Sequence, residues 1–323
     1  MAYQKEGKST RKVLVIGDIM LDKYVIGRVR QMCPEAPVPV IECAETWCYP
    51  GGAANVAANI KSMGGQVILA GVIGKDEEGE FLRKILKRKG IPAVLGVDAG
   101  RPTTVKKRIG TREQLIVRLD RELAEEISQG IFHDILKVVA VLLEDVKLVT
   151  VSDYGKGVVT RKLISAISDI CKSRNIPIFV DPKGPNFSKY SDADIVKPNF
   201  HSLEILYGKD IRDIDDMQKA VDMVFSATGC KACIVTWGCY GAILFRSAED
   251  WIHYPCRAEW NTAYISGAGD VFLAALAMAG IQGMPLEAAC IAANEAASAA
   301  AGRIGTMVAD AATWEKLSRN NKT

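Results

Sequence analysis

Val13-Leu14-Val15-Ile16-Gly17-Asp18-Ile19-Met20-Leu21-Asp22 is the stretch that decides the fold. Four apolar residues run without a break into a glycine and then a carboxylate. A short continuous apolar run has no polar face, so it reads as a strand buried on both sides, as in a parallel sheet covered by helices. The pattern returns at Val67–Val72, Lys147–Val151, Ile178–Val180, Asp194–Val196 and Ile234–Thr236. Helical periodicity fills the intervals, at Ala53–Met63, Glu77–Lys89, Ile131–Leu143, Arg161–Arg174 and Asp216–Ala227. Strand–helix alternation of this kind predicts an α/β fold, with a mostly parallel central sheet and helices on both faces.

Two regions break the alternation. Val38–Cys43 and Thr103–Asp120 read as extended chain, with Thr104, Lys106 and Arg108 alternating against Val105, Lys107 and Ile109. Inserted into an α/β core, such strands predict a small separate sheet, a lid over the active site and a dimer surface. The alternative is an antiparallel edge of the main sheet. The expected organisation is one domain over residues 1–323, with lid strands inserted from about 23–48 and 101–120. Ala-rich helices close the chain, at Ala268–Ala279 and Leu286–Ala301.

Composition narrows the class. The 323 residues are 49% hydrophobic, ample for a large core, and Lys plus Arg (41) nearly balance Asp plus Glu (38). A net charge of +3 gives no clustered basic footprint for nucleic acid. No apolar run reaches membrane-spanning or signal-peptide length, which points to the cytoplasm. Nine cysteines, an odd number and scattered, read as reduced thiols. Cys230-Lys231-Ala232-Cys233, with Cys239 and Cys256 nearby, is a weak zinc candidate, because Cys233 leads directly into an apparent buried strand.

Three segments carry chemistry. Ser266-Gly267-Ala268-Gly269-Asp270 opens a helix on bare backbone, so its N–H groups and dipole form an anion site. An aspartate in that first turn is placed to take a proton from a hydroxyl beside the anion, as phosphoryl transfer requires. The bland reading is a helix start with a favourable first-turn carboxylate. Pro50-Gly51-Gly52-Ala53-Ala54-Asn55 opens a second helix, with a carboxamide able to meet sugar hydroxyls. Asp18 and Asp22 lie just beyond the first strand, where ligands of open parallel sheets sit, and read as hydroxyl acceptors or loop caps.

In this order the segments resemble the ribokinase (PfkB) family of sugar kinases, from about Val13 to about Thr306. Within it, Cys33-Pro34-Glu35-Ala36-Pro37-Val38-Pro39-Val40, Gln114–Asp120, Ser152–Gly157 and Val180–Gly184 look like the heptose 7-phosphate kinase branch. The resemblance implies a ribokinase-like fold and ATP-dependent phosphorylation of the anomeric hydroxyl of D-glycero-D-manno-heptose 7-phosphate, on the way to ADP-heptose and lipopolysaccharide core. Open alternatives are a kinase for another sugar or sugar phosphate, and a catalytically weak sugar-binding homologue. With no H-x-G-H motif, a stand-alone kinase is expected, as a homodimer through the lid.

By the same resemblance Asp270 is the base, and Gly267, Ala268 and Gly269 hold the migrating phosphoryl group. Asp22, Gly51, Gly52 and Asn55 bind the sugar. Lys106, Arg108, Arg118, Lys156 and Lys183 are available to the substrate's own phosphate, each with a solvated surface charge as the alternative. Asn199, Thr236, Gly238, Gly241 and Asn294 fall on the nucleotide side, with Mg2+ expected beside ATP and no residue assigned to it. Two positions depart from the family. Tyr264 stands where an aspartate helps hold a monovalent cation, so K+ does not carry over. Ser202 stands where a glutamate follows Asn199, with Glu204 two residues on as a possible substitute.

Overall fold

Val13 and Val15 enter one hydrophobic core, and Leu14 and Ile16 enter another. The first strand is therefore buried on both faces, as its unbroken apolar run requires. The computed structural model describes residues 12–256, 266–300 and 308–320. Its strands are β1 (Lys12–Gly17), β2 (Ile19–Met32), β3 (Pro39–Gly52), β4 (Gln66–Gly74), β5 (Ala93–Asp98), β6 (Thr104–Gly110), β7 (Leu115–Arg121), β8 (Val146–Ser152), β9 (Ile178–Asp181), β10 (Ile195–Val196), β11 (Ala232–Thr236), β12 (Ala242–Phe245) and β13 (Trp251–Tyr254). The helices are α1 (Ala53–Ser62), α2 (Glu77–Arg88), α3 (Gln129–Leu142), α4 (Arg161–Arg174), α5 (Phe200–Tyr207), α6 (Ile214–Thr228), α7 (Ala268–Gln282), α8 (Leu286–Ala300) and α9 (Ala311–Asn320).

Nine strands form the main sheet in the order β13-β12-β11-β10-β9-β8-β1-β4-β5. Pairing is parallel from β5 through β11, and the last two strands fold back antiparallel. Helices α1, α2, α7 and α8 fill one core, and α3, α4, α5 and α6 the other. Every strand and helix expected from the apolar pattern is present within a few residues of its bounds.

The extended insertions form a second, four-stranded sheet in the order β3-β2-β6-β7, so the edge-strand alternative does not hold. Its strands reach further than expected, starting at Ile19 and ending at Gly52 in the first insertion. β2 pairs with β6 in parallel, setting Asp22 opposite Lys106 and Tyr24 opposite Arg108. Residues directly opposite share a face. One lid face therefore carries Asp22, Tyr24, Lys106 and Arg108, while Lys23, Val25 and Lys107 point the other way.

Helix starts differ in a way that positions the site. Asp76, Thr160 and Asp213 cap α2, α4 and α6 with side-chain oxygens that accept first-turn amides. Helices α1 and α7 instead begin on Gly52 and Gly267, with no side-chain cap. The Ala53 N–H of α1 donates to the Asp18 carbonyl at 3.0 Å, while the first-turn amides of α7 carry no side-chain cap and suit an anion.

Candidate functional site

Asp270 lies in the first turn of α7 and is almost fully buried. Its Oδ2 accepts from Asn55 Nδ2 at 2.9 Å and its Oδ1 from the Tyr154 hydroxyl at 2.7 Å. Burial pushes its carboxyl up to about 7; those two donors pull it down, and the charges of Asp181 and Asp22 push it further up. A group that gains and loses a proton near neutrality is suited to general-base work. Gly267 precedes the helix in the left-handed region (φ 89), a conformation that side chains with a Cβ rarely adopt.

Of the residues expected on the sugar side, Asn55 bonds this carboxylate and Asp22 acts on it through its charge. Asn55 is wholly buried on α1 and directly bonded to Asp270. Asp22, on the lid, binds Arg108 Nη1 through Oδ1 at 2.6 Å. A Cβ on Gly51 would stand 2.5 Å from Asp22 Oδ2, and one on Gly52 would meet the Asp18 carbonyl at the same distance, so the paired glycines are required for lid and core to approach. Asp18 is a brace and not a hydroxyl acceptor. Its carboxylate takes the amides of Tyr154, Lys156 and Val158, and thereby holds the loop after β8. Burial and the neighbouring Asp153 charge raise its carboxyl to about 6 against the pull of those amides.

The cations divide. Arg108 also donates to Ser266 Oγ at 3.1 Å and lies over the Tyr24 ring, so it ties the lid to the residue before the glycine loop. Burial works against its charge, but Asp22, Tyr24 and Asp120 together outweigh burial, so the guanidinium is pushed above its ordinary value. Lys106 pairs with Asp120 and Glu122, and Lys156 with Glu122. Arg118 is half exposed and bonded to Asp120. These three are engaged with acids and are not presented free to a phosphate. Lys183 lines the cleft described next.

Beside the Gly267–Gly269 loop lies a cleft of about 280 Å³, whose wall includes Tyr154, Asp181 and Lys197. Asn199, Thr236, Gly238, Gly241 and Asn294, all expected on the nucleotide side, line it together with the loop itself. Gly241 (φ 97) admits no side chain, since a Cβ would fall 2.1 Å from the Tyr254 carbonyl. Asn199 caps α5 by accepting the Ser202 amide at 2.8 Å. Asn294 donates to the carbonyls of Tyr254 and Pro255. The Ser202 hydroxyl is buried at the cleft wall with no protein partner. Glu204 does not replace the missing glutamate: it turns to the Ile211 amide and His201. Tyr264 lies outside the described residues. Cys230 and Cys233 are buried free thiols, and no group of three His, Cys, Asp or Glu suited to a metal occurs among the described residues.

Sequence reading missed three residues at the centre. Tyr154 bonds Asp270 directly, and Lys197, almost wholly buried, pairs with Asp181 at 2.9 Å beside Gly269. Burial raises the Asp181 carboxyl, with Lys197 pulling against it. All three stand at or just past the carboxyl ends of β8, β9 and β10, the same signal that drew attention to Asp18 and Asp22.

A glycine loop on a helix start, a buried carboxylate beside it and an adjoining cleft suit phosphoryl transfer in a doubly wound sheet. The chain belongs to the pfkB family of carbohydrate kinases, whose pattern matches residues 10–313. Phosphoryl transfer from ATP to a carbohydrate is the activity of that class. The chain is 38% identical over 299 residues to the bifunctional protein HldE of Trichlorobacter lovleyi, covering 92% of this chain and 61% of that one. It is 38% identical over 295 residues to HldE of Shewanella piezotolerans, covering 91% and 61%. It thus spans about three fifths of the length of these relatives. The fold matches phosphofructokinase-2 from Escherichia coli (TM-score 0.76, 20% identity, 97% of this chain and 99% of that one). It also matches ribokinase from Arabidopsis thaliana complexed with ribose and ATP (TM-score 0.72, 21% identity, 96% and 99%).

Proposed function

We propose that this chain phosphorylates the anomeric hydroxyl of D-glycero-D-manno-heptose 7-phosphate from ATP, giving the 1,7-bisphosphate for ADP-heptose and lipopolysaccharide core. The observation that carries the chemistry is Asp270: a carboxylate raised to about 7, set between the sugar-side residues and the glycine loop. The Pro34–Pro39 run and the identity to the HldE relatives support the heptose.

In this mechanism the sugar binds against Asp22, Gly51, Gly52 and Asn55, with its reacting hydroxyl at Asp270. Asp270 takes the hydroxyl proton as the oxygen bonds the γ-phosphorus, and the bond to the β–γ bridging oxygen breaks with ADP as leaving group. The open amides at Gly267, Ala268 and Gly269 stabilise the charge on the transferring group. ATP lies in the cleft lined by Asn199, Thr236, Gly238, Gly241 and Asn294. Mg2+ suits this setting, because it is commonly held by nucleotide phosphates and water with few protein ligands. Asn199 and the unpartnered Ser202 hydroxyl are the oxygen donors that would face it, since Asp181 is already paired with Lys197. Lys183, on the cleft wall, and Arg108, held by Asp22, would meet the substrate's own phosphate, while Lys197 stands beside Gly269. The exposed apolar residues Val117 and Leu119, on the lid face away from Asp22, support a homodimer through the lid. No helix among the described residues is long and apolar enough to cross a membrane, and we place the reaction in the cytoplasm.

Purified protein with ATP, Mg2+ and a panel of sugars and sugar phosphates tests the reading. ADP release with the heptose 7-phosphate is expected. Turnover confined to fructose 6-phosphate or ribose would sink the heptose assignment. Tight sugar binding without ADP release for any substrate would sink the kinase.

A further inference from the structure

Asn59 lies one turn beyond Asn55 on α1, wholly buried, and makes no bond to Asp270 itself. Its Oδ1 accepts the backbone N–H of Ala309 at 2.8 Å. Its Nδ2 donates to the Asn55 carbonyl at 2.9 Å and to Asn55 Oδ1 at 3.2 Å. Asn55 Nδ2 then donates to Asp270 Oδ2 at 2.9 Å. A carboxamide can turn over and exchange its oxygen for its nitrogen, so each amide alone has two orientations. A backbone N–H cannot. Ala309 N–H therefore assigns the oxygen of Asn59, which assigns its nitrogen to Asn55, which assigns the Asn55 nitrogen to the carboxylate.

We infer that Asn59 is a positioning residue for the phosphoryl transfer: acting through Asn55, it passes the fixed polarity of the Ala309 amide to Asp270, so that the carboxylate always meets a donor. The inference rests on Asp270 being the base. Were Asn55 reversed, its carbonyl would face the carboxylate and disfavour the charged, proton-accepting form. The charged and titratable groups around Asp270 are Tyr154 after β8, Asp181 on β9 beside Lys197 on the following loop, and Asp22 on β2 paired with Arg108.

The test is the pH profile of kcat for Asn59→Leu and Asn59→Asp, with ADP release as readout. Asn59→Leu leaves Asn55 free to turn. It should lower kcat about tenfold, the worth of one hydrogen bond to a charged group, and move the acid limb to higher pH. Asn59→Asp keeps the acceptor for Ala309 but offers Asn55 no donor, which inverts the chain. Its acid limb should lie higher still, and it provides the reading if Asn59→Leu fails to fold. In an Asn55→Ala background, Asn59→Leu should change neither kcat nor the limb. A variant with lowered melting temperature but an unmoved acid limb, or equal effects in both backgrounds, would reduce Asn59 to a packing residue. Full activity of Asp270→Asn would instead overturn the base assignment, so the two failures are distinguishable.

Discussion

Replacing Asp270 by Asn should do two opposite things: remove most of the activity and, above neutral pH, stabilise the fold. The carboxyl is raised from 3.8 to about 7, with burial the largest cause. At about 1.4 kcal/mol per tenfold change in proton affinity, that rise corresponds to about 4 kcal/mol. The sign follows from proton uptake. Below the unfolded value near 3.8 the group is protonated in both states and costs nothing. Between about 4 and 7 only the unfolded chain releases its proton, so stability falls as pH rises. Above 7 the folded state carries a buried charge and the full penalty applies. The carboxamide carries no charge at any pH. It can still accept from Asn55, but Tyr154 must then accept where it had donated, a loss of about 1 kcal/mol. The variant should therefore be about 3 kcal/mol more stable than the parent at pH 8 and about 1 kcal/mol less stable at pH 4. Denaturant melts across that range measure the crossover, and coupled ADP release measures turnover, which should drop by roughly 10²–10⁴. A stability difference that stays flat with pH, or a turnover loss under about tenfold, would refute the reasoning.

Three further outcomes are expected. The parent's kcat/KM should rise with pH through an acid limb centred near the Asp270 value of about 7, and the limb should be absent from whatever residual rate Asp270→Asn retains. Gly51→Ala puts a methyl 2.5 Å from Asp22 Oδ2, so Asp22 must shift; sugar KM should rise at least tenfold while nucleotide binding, read by calorimetry with an ATP analogue, is spared. Lys197→Met strips the partner from the Asp181 carboxylate and should destabilise by about 3–5 kcal/mol in denaturant melts. That loss should shrink as pH falls, because a protonated Asp181 no longer needs a cation.

The main sheet was legible because its strands are apolar on both faces, and nothing but a covered parallel strand suits Val13–Ile16. Ala242–Phe245 escaped notice because it is four residues long and follows the Gly238–Gly241 turn, whose glycines drew the reading toward a loop. The α5 helix was hidden in the same way, since Asn199 was read for its ligand and not for the cap it makes. In the site, residues within one segment were legible, such as Gly51, Gly52 and Asn55. Tyr154, Asp181 and Lys197 were not, because they become neighbours only through the order β8-β9-β10, which no single window of sequence displays. The lid cations were legible as charges but not as pairs: Lys106, Lys156 and Arg118 meet Asp120 and Glu122 only once β6 lies against β7.

The lid is stitched from two insertions, and the bond that closes them, Asp22 to Arg108, joins residues 86 positions apart. Between them the chain must complete α1, β4, α2 and β5, all committed to the main sheet. The lid's own apolar cluster is small, Tyr24 and Ile26 with Trp47 and Tyr49 packed against them, whereas β1 is buried in both main cores. The lid therefore has less buried apolar contact of its own to hold it than the main sheet has. Under mild denaturant its strands should exchange their amide hydrogens while β1, β4 and β8 remain protected. Because Asp22 is a lid residue, sugar recognition would be lost in that partly opened state before the nucleotide cleft is, and a sugar ligand would protect the lid more than it protects the rest.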